Sequence, residues 1–362
     1  MNPTFTEALR YYVKLECLSP LRTGDQEGDL QQILRRRDGS PFLQGSSLAG
    51  ALRDWRENTD LFGSNDEESA VIISDVNFQE YGMIVRPRLR MDPALGSAKT
   101  GGKFDIAALP AGTTGEFHLV WRGKNGMEKA AAAIEEYLSA LSSGAIQLGS
   151  QKNNGFGRVK LTVRKRMYHM GQEEDLKAWL EGEEAAKAGE EIELSESVSG
   201  CVQFFVTAET ENLLVKASTG EGVGATGADA VPMTEKGKVI VPGSSVKGAV
   251  RAHLGRIAPH LYPEAENIAA EIERLFGRNG SDGDNGVMGC IRFYDGVMEQ
   301  ASKKVKHRIR ISRFTGGVMN RGLFSEETVG GTLKFSIRMP EEERAGCMLL
   351  LYGLRDLGIG LY

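Results

Sequence analysis

Cysteine is scarce in this sequence, which has only four in 362 residues. They lie far apart, at Cys17, Cys201, Cys290 and Cys347, without a Cys-x-x-Cys pair or a histidine at ligand spacing. This distribution argues against both a structural zinc site and a disulfide framework. We therefore expect reduced thiols that are mostly buried.

Long apolar runs are also missing. No stretch approaches the roughly 20 apolar residues that a membrane-spanning helix needs. The Met-Asn-Pro-Thr start lacks the basic region and following apolar region of a secretory signal. We expect a cytoplasmic protein with no membrane partner.

Positive net charge is absent too: the formal net charge is −5. This balance argues against a protein that coats nucleic acid by its overall charge, but it leaves room for a local basic groove. Acidic residues are concentrated in 173–196, while basic residues gather in 35–37, 86–90, 158–166 and 303–313. Length and an apolar content of 41% fit a globular chain of two domains.

A short motif occurs twice. The runs Gly45-Ser46-Ser47-Leu-Ala-Gly-Ala-Leu-Arg53 and Gly243-Ser244-Ser245-Val-Lys247-Gly-Ala-Val-Arg251 each follow an extended apolar stretch. A serine at the N-cap would satisfy free amide groups, and the remaining amides at the positive helix end could hold a phosphate. A single Ser-Ser pair is first of all a capping signal, but the repetition indicates a duplicated unit.

The order of predicted elements in each copy is strand, helix, strand pair, helix, strand. This order is typical of the ferredoxin-like β-α-β-β-α-β arrangement, an α+β fold whose open sheet suits RNA binding. We predict a first domain at 1–167, an acidic linker at 168–199 and a second domain at 200–362. Each domain carries a protruding arm. The second copy stops before its expected glycine-rich loop and last strand, so either it lacks that strand or a neighbouring chain supplies one.

Two further features are basic. Arg86, Arg88 and Arg90 alternate with apolar residues along one strand, and Arg308 and Arg310 repeat the pattern. Such stripes are commonly solvated surface, but their recurrence favours an RNA path. A glycine-rich basic loop at 149–158 could approach a phosphate chain closely, although a plain connection between strands is the other interpretation.

These motifs resemble a known family. The repeated Gly-Ser-Ser helix start, the Arg-Phe-Thr-Gly-Gly to Gly-Leu-Phe-Ser-Glu-Glu run at 313–327, and the Gly-Phe-Gly-Arg loop at 155–158 are similar to backbone subunits of the RAMP superfamily. Those subunits belong to type III CRISPR RNA-guided interference complexes. The resemblance covers both halves outside the linker and implies a tandem fusion of two backbone subunits, as in type III-D-like systems.

The resemblance also implies a function. Each unit would grip guide RNA, the arm would interrupt the guide–target duplex, and an Asp before the Ser-Ser helix would cut target RNA with Mg²⁺ or another divalent metal. By position this catalytic and metal-binding residue is Asp229 in the second copy and Asp29 in the first, with Asp25 as the other choice there. Guide RNA, target RNA and other CRISPR effector subunits would be the partners. Ala49 departs from the pattern, because Lys247 stands at its place in the second copy.

The residues expected to contact RNA come from the two helix starts, the glycine-rich loop and the two basic strands. They are Gly45, Ser46, Ser47, Arg53, Gly243, Ser244, Ser245, Lys247, Arg251, Lys152, Asn153, Asn154, Gly155, Phe156, Arg158, Arg88, Arg90, Arg308, Arg310 and Arg313.

Other functions stay open. The chain could be a scaffold that binds guide RNA without cutting, with its loop aspartates forming Asx-turns. A guide-processing endonuclease would need a positioned general base, and none of the five histidines falls in a loop shared by both copies. A P-loop is excluded, because the run from Gly243 to Gly248 lacks the required spacing.

Overall fold

A computed structural model of the chain describes residues 5–24, 30–31, 33–64, 66–80, 82–91, 98–195, 200–217, 227–261, 267–278 and 286–360. The first half contains ten strands and five α-helices within these residues. In chain order they are β1 (Glu7–Cys17), β2 (Leu30–Gln31), β3 (Phe42–Leu43), α1 (Gly45–Trp55), α2 (Thr59–Phe62), β4 (Val71–Ile73), β5 (Val76–Glu80), β6 (Ile84–Met91), β7 (Ala98–Ala108), β8 (Thr114–Gly123), α3 (Met127–Ser142), β9 (Val159–His169), α4 (Glu173–Leu180), α5 (Glu183–Lys187) and β10 (Glu190–Ile192).

The second half repeats this plan with longer arm strands. Its elements are β11 (Cys201–Leu213), β12 (Thr234–Glu235), β13 (Lys238–Val241), α6 (Gly243–Leu261), α7 (Ile268–Phe276), β14 (Arg292–Phe293), β15 (Gly296–Ile311), β16 (Val318–Pro340) and α8 (Arg344–Gly360). Among the helices that the structure describes, none has both the length and the apolar character to cross a membrane.

The chain divides into two compact units. The first consists of Met1–Ile84, Ala107–Lys152 and Phe156–Ser199, and the second of Val85–Ile106, Asn153–Gly155 and Gly200–Tyr362. Most of β6 and β7, which form the first arm, therefore belongs to the second unit.

The first unit has the predicted ferredoxin-like topology. Its main sheet has the order β10-β9-β1-β8-β5-β3, and β4 also pairs with β8. β1 lies between β9 and β8 and is antiparallel to both. Because α1 follows β1 and α3 follows β8, the unit reads β-α-β-β-α-β, which confirms the predicted α+β fold.

One face of this sheet forms the core with α1 and α3. Alternate residues of β1, namely Leu9, Tyr11, Val13 and Leu15, are buried in a cluster that includes Leu48 of α1 and Leu138 of α3. The alternation follows from the two-residue period of a strand, which sends every second side chain to the same face.

The opposite face of the first sheet is covered, although we expected an open one. The segment expected to be an acidic linker is 168–199. Its described part, 168–195, completes β9 and then forms α4, α5 and β10, which pairs with β9. Trp179 lies under the Arg10 guanidinium at 3.9 Å, and Glu183 pairs with His118 at 3.3 Å. The acidic segment thus occupies a face rich in basic side chains, which is the physical reason for the difference.

The second unit keeps the same plan with one strand fewer in its described part. Its sheet has the order β11-β16-β15-β13-β12, and β14 also pairs with β16. The core includes Leu254 of α6, Phe276 of α7 and Leu350 of α8, packed against Phe293 and Ile337. In this sheet, no described strand pairs with the second edge of β11, where β9 pairs with β1 in the first unit.

The second arm is a long hairpin of β15 and β16. The two strands pair from Val297 with Lys334 to Ile311 with Val318. Most side chains beyond Glu299 on β15 are exposed, and Phe314 in the connecting turn is fully exposed. The arm therefore presents both basic and apolar side chains to solvent.

Candidate nucleic-acid interface and cleavage site

Both Gly-Ser-Ser helices begin at their glycine, and each of these glycines packs directly against the end of a strand. A Cβ on Gly45 would lie 2.3 Å from the Ile73 carbonyl oxygen, and one on Gly243 would lie 2.2 Å from the Phe293 oxygen. Real Cβ contacts are never so short, so any other residue would push the helix away from the strand. These two predicted RNA contacts thus have a structural role.

An aspartate caps each helix start, so the expectation of a serine N-cap is wrong. The N-cap of α1 is Gln44, which makes no side-chain capping bond, and Ser46 and Ser47 lie inside the first turn. The Gly45 amide instead donates to Asp75 Oδ1 at 2.9 Å, and the Gly243 amide donates to Asp295 Oδ1 at 2.8 Å. The carboxylate complements the positive helix end, which is also the kind of end that can hold a phosphate.

The serines themselves remain near the surface. Ser46, Ser47 and Ser245 are exposed and Ser244 is half-buried, while Arg53 is exposed in the last turn of α1. Their positions leave these side chains accessible to a ligand.

Each capping aspartate also pairs with an arginine, but the arginines come from different elements. In the first unit, Arg36 pairs with Asp75 at 2.9 Å. In the second unit, Arg86 of the first arm pairs with Asp295 at 2.7 Å and with Glu235 at 2.8 Å. Arg86 is only 2% exposed. Burial opposes its charge, but the two carboxylates together raise the pKa of Arg86 above its usual value.

Three predicted RNA-binding cations meet beside α6. Lys247 and Arg251 lie on the helix, and Arg88 of the first arm is close enough to interact with Lys247. Burial, followed by the charges of Arg251 and Arg88, lowers the pKa of Lys247 to about 8. Burial and the charge of Arg86 likewise lower the pKa of Arg88 to about 10. Like charges held together in this way are stabilised when an anion such as a phosphate lies between them.

The glycine-rich loop is shaped by contacts within the protein. Gly157 has a φ of +83°, and a Cβ there would lie 2.0 Å from the Leu148 oxygen. Lys152, Asn153 and Asn154 form a short 3₁₀ turn. Phe156 is fully buried, so its ring cannot stack on a base, and the prediction that it contacts RNA is wrong.

Other residues of this loop are constrained too. A Cβ on Gly155 would lie 2.5 Å from the Phe293 oxygen, so this glycine serves a close backbone contact. Arg158 is half-buried, and its amide donates to Ser19 Oγ at 2.9 Å. Hence the loop offers fewer groups to RNA than its composition indicates.

The predicted arm cations lie on the surface of the second arm. Arg308 pairs with Glu326 at 3.4 Å and is half exposed, while Arg310 lies over the Phe324 ring at 5.1 Å. Arg313 is exposed in the turn. The side chain of Arg90, on the first arm, lies outside the described residues.

Asp229 is exposed and firmly oriented. The amide of Ser325 donates to Asp229 Oδ2 at 2.7 Å, and the Ser325 hydroxyl donates to the same oxygen at 3.1 Å. These bonds lower the pKa of Asp229, the backbone bond contributing most. Within the part of the chain that the structure describes, no other residue donates to Oδ1. The carboxylate is therefore ionised at neutral pH, with one oxygen open to solvent.

The neighbours of this aspartate come from the arm. Glu327, on the same face of β16 as Ser325, is buried and pairs with Lys303 at 2.8 Å. His307 lies directly opposite Ser325 in the β15–β16 register. Side chains of directly opposed residues point to the same face, so the imidazole lies on the Asp229 side of the arm.

The first-copy counterpart cannot be placed. Asp29 and Asp25 both lie outside the described residues. The chain is extended directly after each aspartate, as β2 after Asp29 and as a bridge of Ala230 with Glu326 after Asp229.

Sequence reasoning missed three residues of these sites: Asp75, Asp295 and Ser325. The two aspartates recur after equivalent strands, which was the available signal for the caps. Ser325 belongs to the quoted Ser-Glu-Glu run, but only the structure brings it against Asp229.

Comparison with known proteins identifies a family. No curated protein matches the chain significantly. The family model of the RAMP superfamily matches residues 14–160 and 226–360, one match in each half. These two regions contain both Gly-Ser-Ser helices, both capping aspartates and Asp229. The chain therefore belongs to the RAMP superfamily, and this places it among CRISPR-associated RNA-binding proteins.

Proposed function

We propose that this protein is a guide-RNA-binding backbone subunit of a type III CRISPR interference complex, and that it cuts target RNA through Asp229 and Asp29. The cation cluster of Arg88, Lys247 and Arg251 supports a guide-RNA backbone contact. Backbone contacts carry no sequence information, which suits a subunit that must accept many guides.

The observation that carries the cleavage proposal is the state of Asp229. Its carboxylate is exposed and ionised, and both Ser325 bonds hold it through Oδ2. An exposed aspartate that only formed an Asx-turn would need no donors from a strand almost a hundred positions later in the chain. A fixed orientation is what a reacting carboxylate requires, since catalysis depends on preorganised groups.

The donor set fits a divalent metal only when RNA contributes to it. In the described residues no three His, Cys, Asp or Glu side chains cluster closely enough to hold a metal. Mg²⁺ is commonly bound by one or two carboxylates together with substrate phosphates and water. Asp229 Oδ1 fits such a shared site.

The protein's own residues would position the reaction. A bound divalent metal would neutralise the charge that develops on the scissile phosphate. Ser325 holds the Asp229 carboxylate in place, and the cations of the arm hold the RNA backbone beside it. The adjacent 2′-hydroxyl would attack the phosphorus in line and lose its proton to solvent. The bond to the 5′-oxygen of the next nucleotide would break, and that oxygen would take up a proton from solvent, leaving a 2′,3′-cyclic phosphate. This geometry depends on how the RNA is held between these groups.

The test is single replacement of each aspartate in a reconstituted complex that carries guide and labelled target RNA. We expect Asp229→Asn and Asp29→Asn each to remove one defined cleavage product, with guide binding unchanged. Asn is the sharper substitution, because it keeps the shape and still accepts the Ser325 bonds. Unchanged products from both variants would instead support a scaffold that does not cut.

One observation favours a second candidate, guide processing by general acid–base chemistry. His307 supplies an imidazole on the Asp229 side of the arm, and no metal is needed for a histidine base. Cleavage of a guide-RNA precursor that persists in EDTA and disappears in His307→Ala would support this candidate. Cleavage that stops in EDTA and persists in His307→Ala would exclude it.

A further inference from the structure

Ser325 makes more contacts with Asp229 than capping a turn requires. Its amide and its hydroxyl both donate to Oδ2, at 2.7 and 3.1 Å, and the Asp229 amide donates back to the Ser325 hydroxyl oxygen at 3.2 Å. The hydroxyl therefore acts as donor and acceptor towards the same residue. Ser325 is itself only 9% exposed, so its side chain is held inside the protein while Asp229 is exposed.

The backbone after Asp229 is fastened to the same strand. The Ala230 amide donates to the Ser325 oxygen at 3.2 Å, and the Glu327 amide donates to the Ala230 oxygen at 2.8 Å. Ala230 and Glu326 form a parallel bridge. The carboxylate and its own main chain are thus both held by one short stretch of β16.

That stretch belongs to the arm. Ser325 pairs with His307 across the hairpin, and the same two strands continue outward to Ile311 and Val318 beside the exposed turn. Because β16 is continuous from Val318 to Pro340, a displacement of the arm strand moves the two Ser325 donors with it.

We propose that Ser325 is a positioning residue that fixes the Asp229 carboxylate, with Oδ1 facing the RNA, and thereby couples the seating of the second arm to cleavage in the second unit. The inference rests on the proposed function of Asp229. The hydroxyl selects the orientation of the carboxylate, while the amide would remain in any variant.

The experiment compares Ser325→Ala with Ser325→Thr in the reconstituted complex with guide and target RNA. Ala removes the hydroxyl and keeps the amide, whereas Thr keeps both. We expect Ser325→Ala to lower the rate of the Asp229-dependent product about tenfold and to raise the Mg²⁺ concentration at half-maximal rate. The reason is that the charge-assisted bond to Oδ2 and the bond from the Asp229 amide are both lost. Ser325→Thr should stay within about twofold of wild type. The Asp29-dependent product, formed in the same reaction, is the internal control and should not change.

Each other outcome identifies what fails. If Asp229→Asn leaves all products unchanged, the proposed cleavage function fails. If Asp229→Asn removes its product but Ser325→Ala matches wild type, the positioning role alone is overturned. It is also overturned if Ala and Thr lower the rate equally, or if Ser325→Ala lowers both products together, since these patterns indicate a general structural effect.

Discussion

Asp75 and Asp295 cap the starts of α1 and α6, a role for which local sequence patterns predict a serine. Each accepts the first amide of its helix and pairs with an arginine through its other oxygen. The two arginines differ in origin, since Arg36 lies in the turn before α1 and Arg86 lies on the first arm. In the second unit, Glu235 of β12 adds a carboxylate, so the buried cation there has two acidic partners.

Replacement of Arg86 tests whether the buried arginine with two acidic partners contributes more to stability than the exposed Arg36 does. Arg86→Met would leave Glu235 and Asp295 facing each other in a poorly hydrated site, and we expect it to lower the free energy of unfolding by about 3–5 kcal/mol. Arg36→Met is the matched control. Its ion pair with Asp75 is more than a third exposed, so the loss should stay below about 1 kcal/mol. Urea denaturation of the full-length variants measures both.

Equal losses in the two arginine variants would contradict this account. They would mean that burial of Arg86 does not set the cost of leaving its carboxylates without a cation.

At the scale of elements, the order of strands and helices could be predicted because it depends on local patterns. The alternation of β1, the amphipathic α3 and the repeated helix start are all visible in nearby residues. The helix caps could not be read in this way, because Asp75 lies 30 positions from Gly45 and Asp295 lies 52 from Gly243. Contacts across such distances depend on the folded sheet.

The acidic segment was difficult to predict for a related reason. Its few apolar anchors, Ala178, Trp179 and Ala185, lie between many glutamates, so the composition is typical of a solvated linker. Its partner is the basic and aromatic face of β1, β8 and β9, which exists only once the sheet has formed. The glycine-rich loop shows the opposite case. Its composition predicts a loop that approaches RNA, but its glycines allow close backbone contacts within the protein.

We expect the Trp179 side chain to contribute most of the packing that holds α4 against the first sheet. Its ring contacts Arg10, Phe5 and Tyr168. We expect Trp179→Ala to destabilise the segment by about 2 kcal/mol, somewhat less than a fully buried aromatic, and to speed amide exchange in 173–192. Hydrogen–deuterium exchange followed by mass spectrometry measures this directly.

Leu180→Ala, at a side chain that is 77% exposed, is the control and should change stability by less than about 0.5 kcal/mol. Unchanged exchange in the Trp179 variant would mean that the strand pairing of β10 holds the segment alone.

At the scale of the whole molecule, net charge and local charge point in opposite directions. The chain carries −5 overall, yet much of its acidic excess lies in the segment that covers the first sheet. Cations remain concentrated beside α6 and along the second arm. RNA binding should therefore depend on a few phosphate contacts. The number of these contacts sets how steeply the affinity for RNA falls as the salt concentration rises.

Replacement of Lys247 tests whether one of these phosphate contacts lies beside α6. If it contacts a phosphate, Lys247→Gln should weaken guide-RNA binding and reduce the slope of log affinity against log salt by about 1 at pH 7. Because burial and neighbouring cations lower the Lys247 pKa to about 8, the free protein loses this charge as pH rises. The difference between wild type and variant should hence shrink at pH 9. Fluorescence anisotropy measures both slopes, with Lys177→Gln, an exposed lysine paired with Glu173, as the control. Identical slopes for wild type and Lys247→Gln at pH 7 would place the RNA backbone away from α6.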